Sequence, residues 1–226
     1  FVSGHSVSKQ FFVVEDKGEN MAQIPIFMDI SEKRCVVAGG GKVALRKIQA
    51  LLEFGGEVFV VAPSVSEEIK QLEGVTWEER EYEKKDLETA VLVIAATDNQ
   101  NVNHNIAKDA KEKNVLVNVV NIPKESSFFF PAYTKRGDVV VACSSGGKAP
   151  VVAQYIKKKT ALEMTEQLEE ANDFLGAIRP QVKKKIAEVE KRRQVYQELL
   201  KIALTEERKL TQKDVDSVIN NCEDKS

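Results

Sequence analysis

Residues 36–52 read VVAGGGKVALRKIQALL, an apolar run that meets three glycines and then becomes a helical pattern. A strand that passes through glycines into a helix is typical of a phosphate-binding turn. Gly39, Gly41 and Ala44 fit the spacing G-x-G-x-x-A of dinucleotide-binding folds, so Gly39, Gly40 and Gly41 are candidate cofactor-binding residues. The alternative is a tight turn that binds no ligand.

The apolar runs alternate with helical patterns as far as residue 120, which predicts a parallel sheet with helices on its faces. The predicted strands are residues 35–38, 57–63, 75–82, 91–97 and 115–121. Residues 126–133 and 138–145 form two further strand candidates, and residues 134–137 would join them as a hairpin. The fold class is therefore α/β, with a Rossmann domain that has a parallel sheet, then a β-containing region and a small helical C-terminal domain.

The chain beyond residue 150 is charged and helical. Val182, Ile186 and Val189 have the spacing of one apolar helix face. Pro180 is predicted to begin a helix at its first turn, and Thr211 with Asp214 predicts a capping box.

Composition excludes several kinds of partner. The formal net charge is −2, which argues against nucleic acid, and no apolar stretch is long enough to span a membrane. Cys35, Cys143 and Cys222 suggest neither a disulfide framework nor a metal-binding pair, so we expect a reducing, cytoplasmic location and no metal site. Residues 1–20 are expected to be an added leader or a poorly ordered extension.

The second predicted strand ends in Ala62-Pro63-Ser64, without the acidic residue that often binds the ribose hydroxyls. Ser64 and backbone groups would have to serve instead. No arginine is present there for a 2′-phosphate, which favours NAD over NADP. Thr97 and Asp98 end the fourth strand, where they would either contact the cofactor or cap the following helix.

Several motifs in order resemble the siroheme synthase amino-terminal module, the precorrin-2 dehydrogenase and sirohydrochlorin ferrochelatase family. The resemblance covers residues 24–161 and is carried by IPIFMDISEKRCVVAGGGKVALRK, VVAPS, VIAATDNQNVN, VNVVNIPKESSFFFPA and RGDVVVACSSGGKAPVVAQYI. It implies an NAD-binding Rossmann domain, an intertwined homodimer, and oxidation of the tetrapyrrole precorrin-2 to sirohydrochlorin with NAD as hydride acceptor. Some members also insert ferrous iron.

The resemblance also implies a division of the chain and cofactor contacts. The predicted segments are a leader at 1–20, an NAD-binding domain at 21–130, a dimerisation region at 131–162 and a helical domain at 163–226. Family NAD contacts map onto Lys42, Val43, Pro63 and Ser64.

One position departs from the family pattern. The family usually reads V-N-V-V-D, with an aspartate proposed to act in catalysis, whereas this chain has Asn121. An amide neither accepts a proton nor steers a metal well. We therefore expect a dehydrogenase with weak or no chelatase activity, and we assign Asn121 and Ser145 as the candidate catalytic residues.

The sequence SSGGK, residues 144–148, is a second candidate site, because glycines let a ligand approach the backbone and serine hydroxyls bind carboxylates. In the family this segment lines the tetrapyrrole cleft; the alternative is a plain connection into a helix. The candidate substrate-binding residues are Ser144, Gly146, Lys148 and Arg136. Two other functions stay open: a bifunctional dehydrogenase and ferrochelatase, and a non-catalytic NAD-binding redox sensor.

Overall fold

The computed structural model describes residues 23–223, which form two compact units, residues 24–130 and residues from 131 onward. The predicted leader lies outside the described residues. The predicted boundary at residue 162 inside the second unit stays a prediction.

The first unit is built on a five-stranded, fully parallel sheet with the strand order β3-β2-β1-β4-β5. Its strands are β1 (Arg34–Ala38), β2 (Glu57–Ala62), β3 (Val75–Glu79), β4 (Leu92–Ala95) and β5 (Leu116–Val119). Its helices are α1 (Lys42–Glu53), α2 (Glu67–Lys70) and α3 (Gln100–Lys113), with short 3-10 helices at Lys84–Leu87 and Pro123–Glu125. The predicted α/β class with a parallel sheet is confirmed.

Both faces of this sheet are buried, which explains the continuous apolar runs in its central strands. One face packs against α1 and α2, and the other packs against α3. The side chains of Val37, Ile48 and Ile94 share the first core, and those of Val36 and Ile106 share the second. The unit is therefore a three-layer α/β/α sandwich.

An ion pair between partly exposed Arg80 and the buried carboxylate of Asp86 holds the connection between β3 and β4. The Arg80 guanidinium donates to both carboxylate oxygens of Asp86 at 2.8 and 2.5 Å, and the Glu83 N–H donates to the same carboxylate at 2.8 Å. Burial would raise the pKa of Asp86, but these hydrogen bonds outweigh it and hold the pKa below its ordinary value.

The exposed edge of β5 is covered by the chain that follows it. The hydroxyl of Ser127 accepts from the N–H of Val117 at 2.8 Å, and the hydroxyl of Ser126 accepts from the N–H of Val119 at 2.9 Å. The side chain of buried Asn118 donates to the carbonyl of Phe128 at 3.0 Å. Residues 126–130 therefore do not begin the predicted strand. They cover the edge of β5, where serine hydroxyls accept hydrogen bonds from the backbone N–H groups of the strand.

The second unit begins with an antiparallel hairpin of β6 (Ala132–Arg136) and β7 (Val139–Cys143). The predicted hairpin thus forms, but its turn is Gly137-Asp138 rather than residues 134–137, since Arg136 pairs directly with Val139. Four helices follow: α4 (Pro150–Glu163), α5 (Glu166–Lys185), α6 (Val189–Thr205) and α7 (Gln212–Glu223).

Two predictions about these helices were wrong. Pro180 lies inside α5, because Ile178 and Val182 on either side of it are buried in the helical core and hold the helix through the proline. Val189 begins α6 and is 71% exposed, because the chain leaves the helical path after Lys185 and the apolar periodicity is lost.

One half of the predicted capping box of α7 is present, since the N–H of Asp214 donates to the carbonyl of Thr211 and not to its hydroxyl. The carboxylate of Asp214 accepts from the N–H of Thr211 at 2.8 Å and from its hydroxyl at 2.7 Å. These bonds satisfy backbone and hydroxyl donors at the point where α7 begins.

Candidate functional site

The first unit has the arrangement in which α/β proteins bind ligands at the carboxyl edge of the sheet. β1 and β4 are neighbours in the middle of the sheet. From β1 the chain continues to β2 and β3 on one side, and from β4 it continues to β5 on the other side. The loops after these two strands diverge at such a point and leave a crevice. The glycine turn follows β1, and Thr97 with Asp98 follows β4.

Gly39 closes this turn against the end of β4. Its φ is +134°, and a β-carbon built on it would lie 2.4 Å from the carbonyl oxygen of Ala96. The N–H of Gly39 donates to the carbonyl of Val61, and the N–H of Ala96 donates to that of Ala38. A side chain at residue 39 would therefore push apart the ends of β1 and β4.

Gly40 holds the loop that follows β2. A β-carbon on Gly40 would lie 2.0 Å from the carbonyl oxygen of Ser64 and 2.8 Å from the α-carbon of Val65. The Gly40 carbonyl accepts from the N–H of Ser66 at 3.0 Å. Gly40 is therefore required by packing, and it brings exposed Pro63 and Ser64 against the glycine turn.

Gly41 lies at the open end of α1. No atom lies within 4 Å of a β-carbon built on it, and no side chain caps the helix there. Lys42 and Val43 are exposed in the first turn, whereas Ala44 is fully buried against the sheet. A helix end without a cap presents N–H donors and a positive dipole end, so these residues fit the pyrophosphate of a dinucleotide.

Glu79 supplies an acid near the ribose side of this crevice. In the parallel register it lies opposite Ala62 at the end of β2, and its carboxylate accepts from the N–H of Val65 at 3.0 Å. Lys70 lies 3.2 Å from the same carboxylate. The N–H of Val65 and then the Lys70 ammonium lower the pKa of Glu79. Sequence reasoning missed Glu79 because it considered only the end of β2.

Thr97 is fixed by a side chain from α3. Its hydroxyl donates to the amide oxygen of Asn103 at 2.7 Å, its N–H donates to the same oxygen at 3.2 Å, and its carbonyl accepts from the Asn103 amide at 3.0 Å. The cap of α3 is Asn99, whose side chain accepts from two backbone N–H groups. Thr97 and exposed Asp98 are thus not the cap, and buried Asn103 sets the path of this loop.

Asn121 lies exposed in the loop after β5, with a φ of +64°. Asparagine and aspartate adopt this left-handed conformation more readily than other side-chain-bearing residues. The backbone thus explains why either residue suits the position, and only an aspartate would bring a charge.

A histidine and a glutamate form a pair near this loop. Nδ1 of His104 on α3 lies 3.0 Å from Oε1 of Glu125, which ends the short 3-10 helix after β5. Two thirds of the His104 side chain is exposed. The sequence alone does not reveal this pair, because the two residues lie on separate elements, 21 positions apart.

The second candidate site lies in the second unit, between β7 and α4. The hydroxyl of Ser144 accepts from the N–H of Gly146 at 3.1 Å, and the hydroxyl of Ser145 accepts from the N–H of Ala149 at 3.3 Å. No atom lies within 4 Å of a β-carbon built on Gly146 or Gly147. The loop is therefore open to a ligand, and both hydroxyls are already used in shaping it.

The structure does not bring Arg136 to this loop. Arg136 lies at the turn end of the hairpin, and Ser144 follows the opposite end. The guanidinium of Arg136 lies 3.9 Å from the Glu169 carboxylate, while Lys148 is exposed. The predicted roles of Asn121, Ser145 and the substrate-binding residues stay predictions.

Two kinds of feature are absent from residues 23–223. These residues contain no group of three or more His, Cys, Asp or Glu side chains placed to hold a metal ion. None of their helices combines the length and the apolar character needed to cross a membrane.

Residues 26–132 match the protein family described as "Putative NAD(P)-binding". The chain is 35% identical over 182 residues to a siroheme synthase of Vesicomyosocius okutanii, covering 79% of this chain and 39% of that protein. It is 37% identical over 183 residues to siroheme synthase 1 of Aeromonas salmonicida, covering 80% and 39%. The chain thus spans about two fifths of the length of these relatives.

Among solved structures, the fold is similar to "SirC, precorrin-2 dehydrogenase", with a TM-score of 0.66 and 23% sequence identity. The match covers 89% of this chain and all of that one. At this identity the likeness establishes a shared fold across both units.

Proposed function

We propose that this chain, which is similar to the siroheme synthases over about two fifths of their length, oxidises precorrin-2 to sirohydrochlorin with NAD as hydride acceptor. The reaction would serve siroheme or cobalamin biosynthesis. The observation that carries the proposal is the open, uncapped start of α1 at Gly41, beside the divergence of β1 and β4.

Different residues of the chain would bind different parts of NAD. The first turn of α1 would bind the pyrophosphate through its N–H groups, and Lys42 would add a positive charge. Pro63 and Ser64, packed on Gly40, would lie along the adenosine ribose. NAD, when bound, supplies a nicotinamide ring that accepts a hydride.

The choice of NAD over NADP is supported by the loop after β2. Among the residues of that loop, 63–66, there is no arginine to bind a 2′-phosphate.

We propose weak or no chelatase activity. Metal insertion must remove two pyrrole protons, and the amide of Asn121 is a poor acceptor for them. Hydride transfer depends mainly on placing the substrate against the nicotinamide, so it tolerates the amide better.

We also propose a homodimer and a cytoplasmic location. Val151, Tyr155 and Leu162 are 73%, 62% and 74% exposed and lie on one face of α4. An apolar stripe of this kind suits a second copy of the chain. The cytoplasm suits three unpaired cysteines.

The test is anaerobic incubation of the protein with precorrin-2 and NAD. Appearance of the sirohydrochlorin spectrum together with NADH is the expected result, and absence of both would overturn the proposal. Ferrous or cobalt ion is then added to the same cuvette. Metal insertion at the background rate is expected, and insertion well above it would favour the bifunctional enzyme. Binding of NAD without binding of sirohydrochlorin would favour the redox sensor.

A further inference from the structure

His104 and Glu125 join two elements that meet at the carboxyl edge of the sheet. His104 lies in the second turn of α3, and Glu125 closes the 3-10 helix after β5, with Nδ1 and Oε1 3.0 Å apart. Glu125 is itself held, because its N–H donates to the carbonyl of Ile122 at 3.2 Å. The carboxylate therefore fixes one nitrogen of the imidazole and leaves Nε2 on a largely exposed ring.

The pair is attached to the same loops as the proposed nicotinamide site. Asn103, which precedes His104, binds both the backbone and the hydroxyl of Thr97 at the end of β4. Asn121 is four residues before Glu125 in the loop that follows β5. A shift of α3 would thus move the histidine and the Thr97 loop together.

The proposed oxidation removes two hydrogens from the macrocycle, and only one of them leaves as a hydride. One C–H bond breaks with its electron pair going to the nicotinamide, and a second hydrogen must leave as a proton. The side chain of Asn121 cannot take this proton, because an amide is not a useful base near neutral pH. Histidine in its neutral form is a common proton acceptor in such steps.

We infer that Nε2 of His104 accepts the proton released from precorrin-2, while Glu125 holds the opposite ring N–H and stabilises the imidazolium that forms. This inference rests on the proposed function. It assigns a general base in place of the carboxylate that is missing at residue 121, and it uses a pairing of carboxylate and imidazole that orients the ring.

The carboxylate of Glu125, 3.0 Å from Nδ1, is the charged group that contacts the His104 ring among the described residues. Only neutral imidazole can accept a proton, so kcat should be lower in acid than in base. Removing the Glu125 carboxylate takes away the group that orients the ring, so kcat should fall in that variant as well.

The test compares His104→Gln, Glu125→Gln and the matched control Lys108→Gln, which changes an exposed side chain one turn further along α3. We would measure kcat between pH 5.5 and 8.5 with precorrin-2 and NAD, and NAD affinity by calorimetry. His104→Gln should lower kcat about 100-fold at high pH and abolish the acid inflection, with NAD affinity unchanged. Glu125→Gln should lower kcat at least about tenfold, because the ring loses the carboxylate that orients it, and Lys108→Gln should behave as the wild type.

Two results would overturn the inference without touching the proposed function. One is a wild-type kcat in His104→Gln, and the other is a reduced kcat that keeps the wild-type inflection, because a structural role would give that pattern. Failure of the wild-type protein itself to oxidise precorrin-2 would instead refute the proposed function, and the inference with it.

Discussion

A β-carbon on Gly40 would lie 2.0 Å from the carbonyl oxygen of Ser64, a residue 24 positions further along the chain. The two loops that would hold the pyrophosphate and the adenosine ribose of a dinucleotide are therefore in direct backbone contact. The absence of a side chain at Gly40 makes this contact possible, whereas its neighbour Gly41 faces open space. Packing and ligand binding can thus be separated by substitutions at adjacent residues.

We expect Gly40→Ala to destabilise the fold by about 2 kcal/mol or more, because an added methyl group would collide with backbone that cannot rotate away. Urea unfolding of the purified protein measures this. The matched control is Gly176→Ala in α5, where a β-carbon meets nothing within 4 Å. It should raise the free energy of unfolding by about 0.5–1 kcal/mol. Equal stability of the two variants would contradict the contact with Ser64.

We expect Gly41→Asp to fold normally and to lose NAD. Aspartate is a favoured cap and the position has room for it, so α1 should be retained or strengthened. Its carboxylate would occupy the N–H groups meant for the pyrophosphate. Loss of about 3 kcal/mol of charge-assisted hydrogen bonding corresponds to about 100-fold in affinity. Calorimetric titration with NAD checks this. An unchanged affinity would show that the start of α1 does not bind the cofactor.

Asn103 offers a test of the Thr97 loop. Asn103→Leu removes three hydrogen bonds and leaves polar groups of Thr97 without partners, so we expect a loss of about 2–3 kcal/mol of stability and a higher KM for NAD. The control Asn101→Leu changes an exposed asparagine of the same helix and should do neither. A normal KM for NAD in Asn103→Leu would place Thr97 outside the cofactor site.

The parts of the site that lie within one short stretch of sequence were predictable. The glycine spacing and the buried Ala44 follow from local rules for a strand, a turn and a helix. The need for glycine at residue 40 was not predictable, because it depends on Ser64. Glu79 was missed for a similar reason: only the register of β3 on β2 brings it opposite Ala62.

The fold predictions failed where tertiary contacts outweigh local signals. Residues 126–130 have the composition of a strand, yet Ser126 and Ser127 use their hydroxyls to cover the edge of β5. A proline such as Pro180 favours the first turn of a helix. Here it lies inside α5, because Ile178 and Val182 on either side of it are buried in the helical core. Asn103 could have been noticed as a polar residue on the apolar face of α3, since Ile106 and Ala110 are also buried there.

Asn121→Asp tests the origin of the proposed lack of chelation. The φ of +64° suits asparagine and aspartate alike, so stability should change by less than about 0.5 kcal/mol. The new carboxylate should raise cobalt or iron insertion into sirohydrochlorin by at least about tenfold, with little effect on precorrin-2 oxidation. Asn121→Ala, which adds no charge, is the control. Insertion that stays at the background rate in both variants would show that residue 121 does not limit chelation.

The Arg80–Asp86 pair predicts how the fold responds to acid. Its hydrogen bonds hold the pKa of Asp86 below that of an unfolded aspartate, which is about 3.9. A depressed pKa contributes stability that is present above the unfolded value and is lost as the pH falls through the folded value. Asp86→Asn should cost about 2 kcal/mol at pH 7, because it removes the buried carboxylate that pairs with Arg80, although Arg80 keeps its ion pair with exposed Glu78. The difference between wild type and variant, measured by urea unfolding from pH 7 to pH 3, should stay constant down to about pH 4.5 and shrink below it. A difference that grows towards acid would mean that Asp86 is protonated in the folded protein, and the ion pair would then not be what holds β3 to β4.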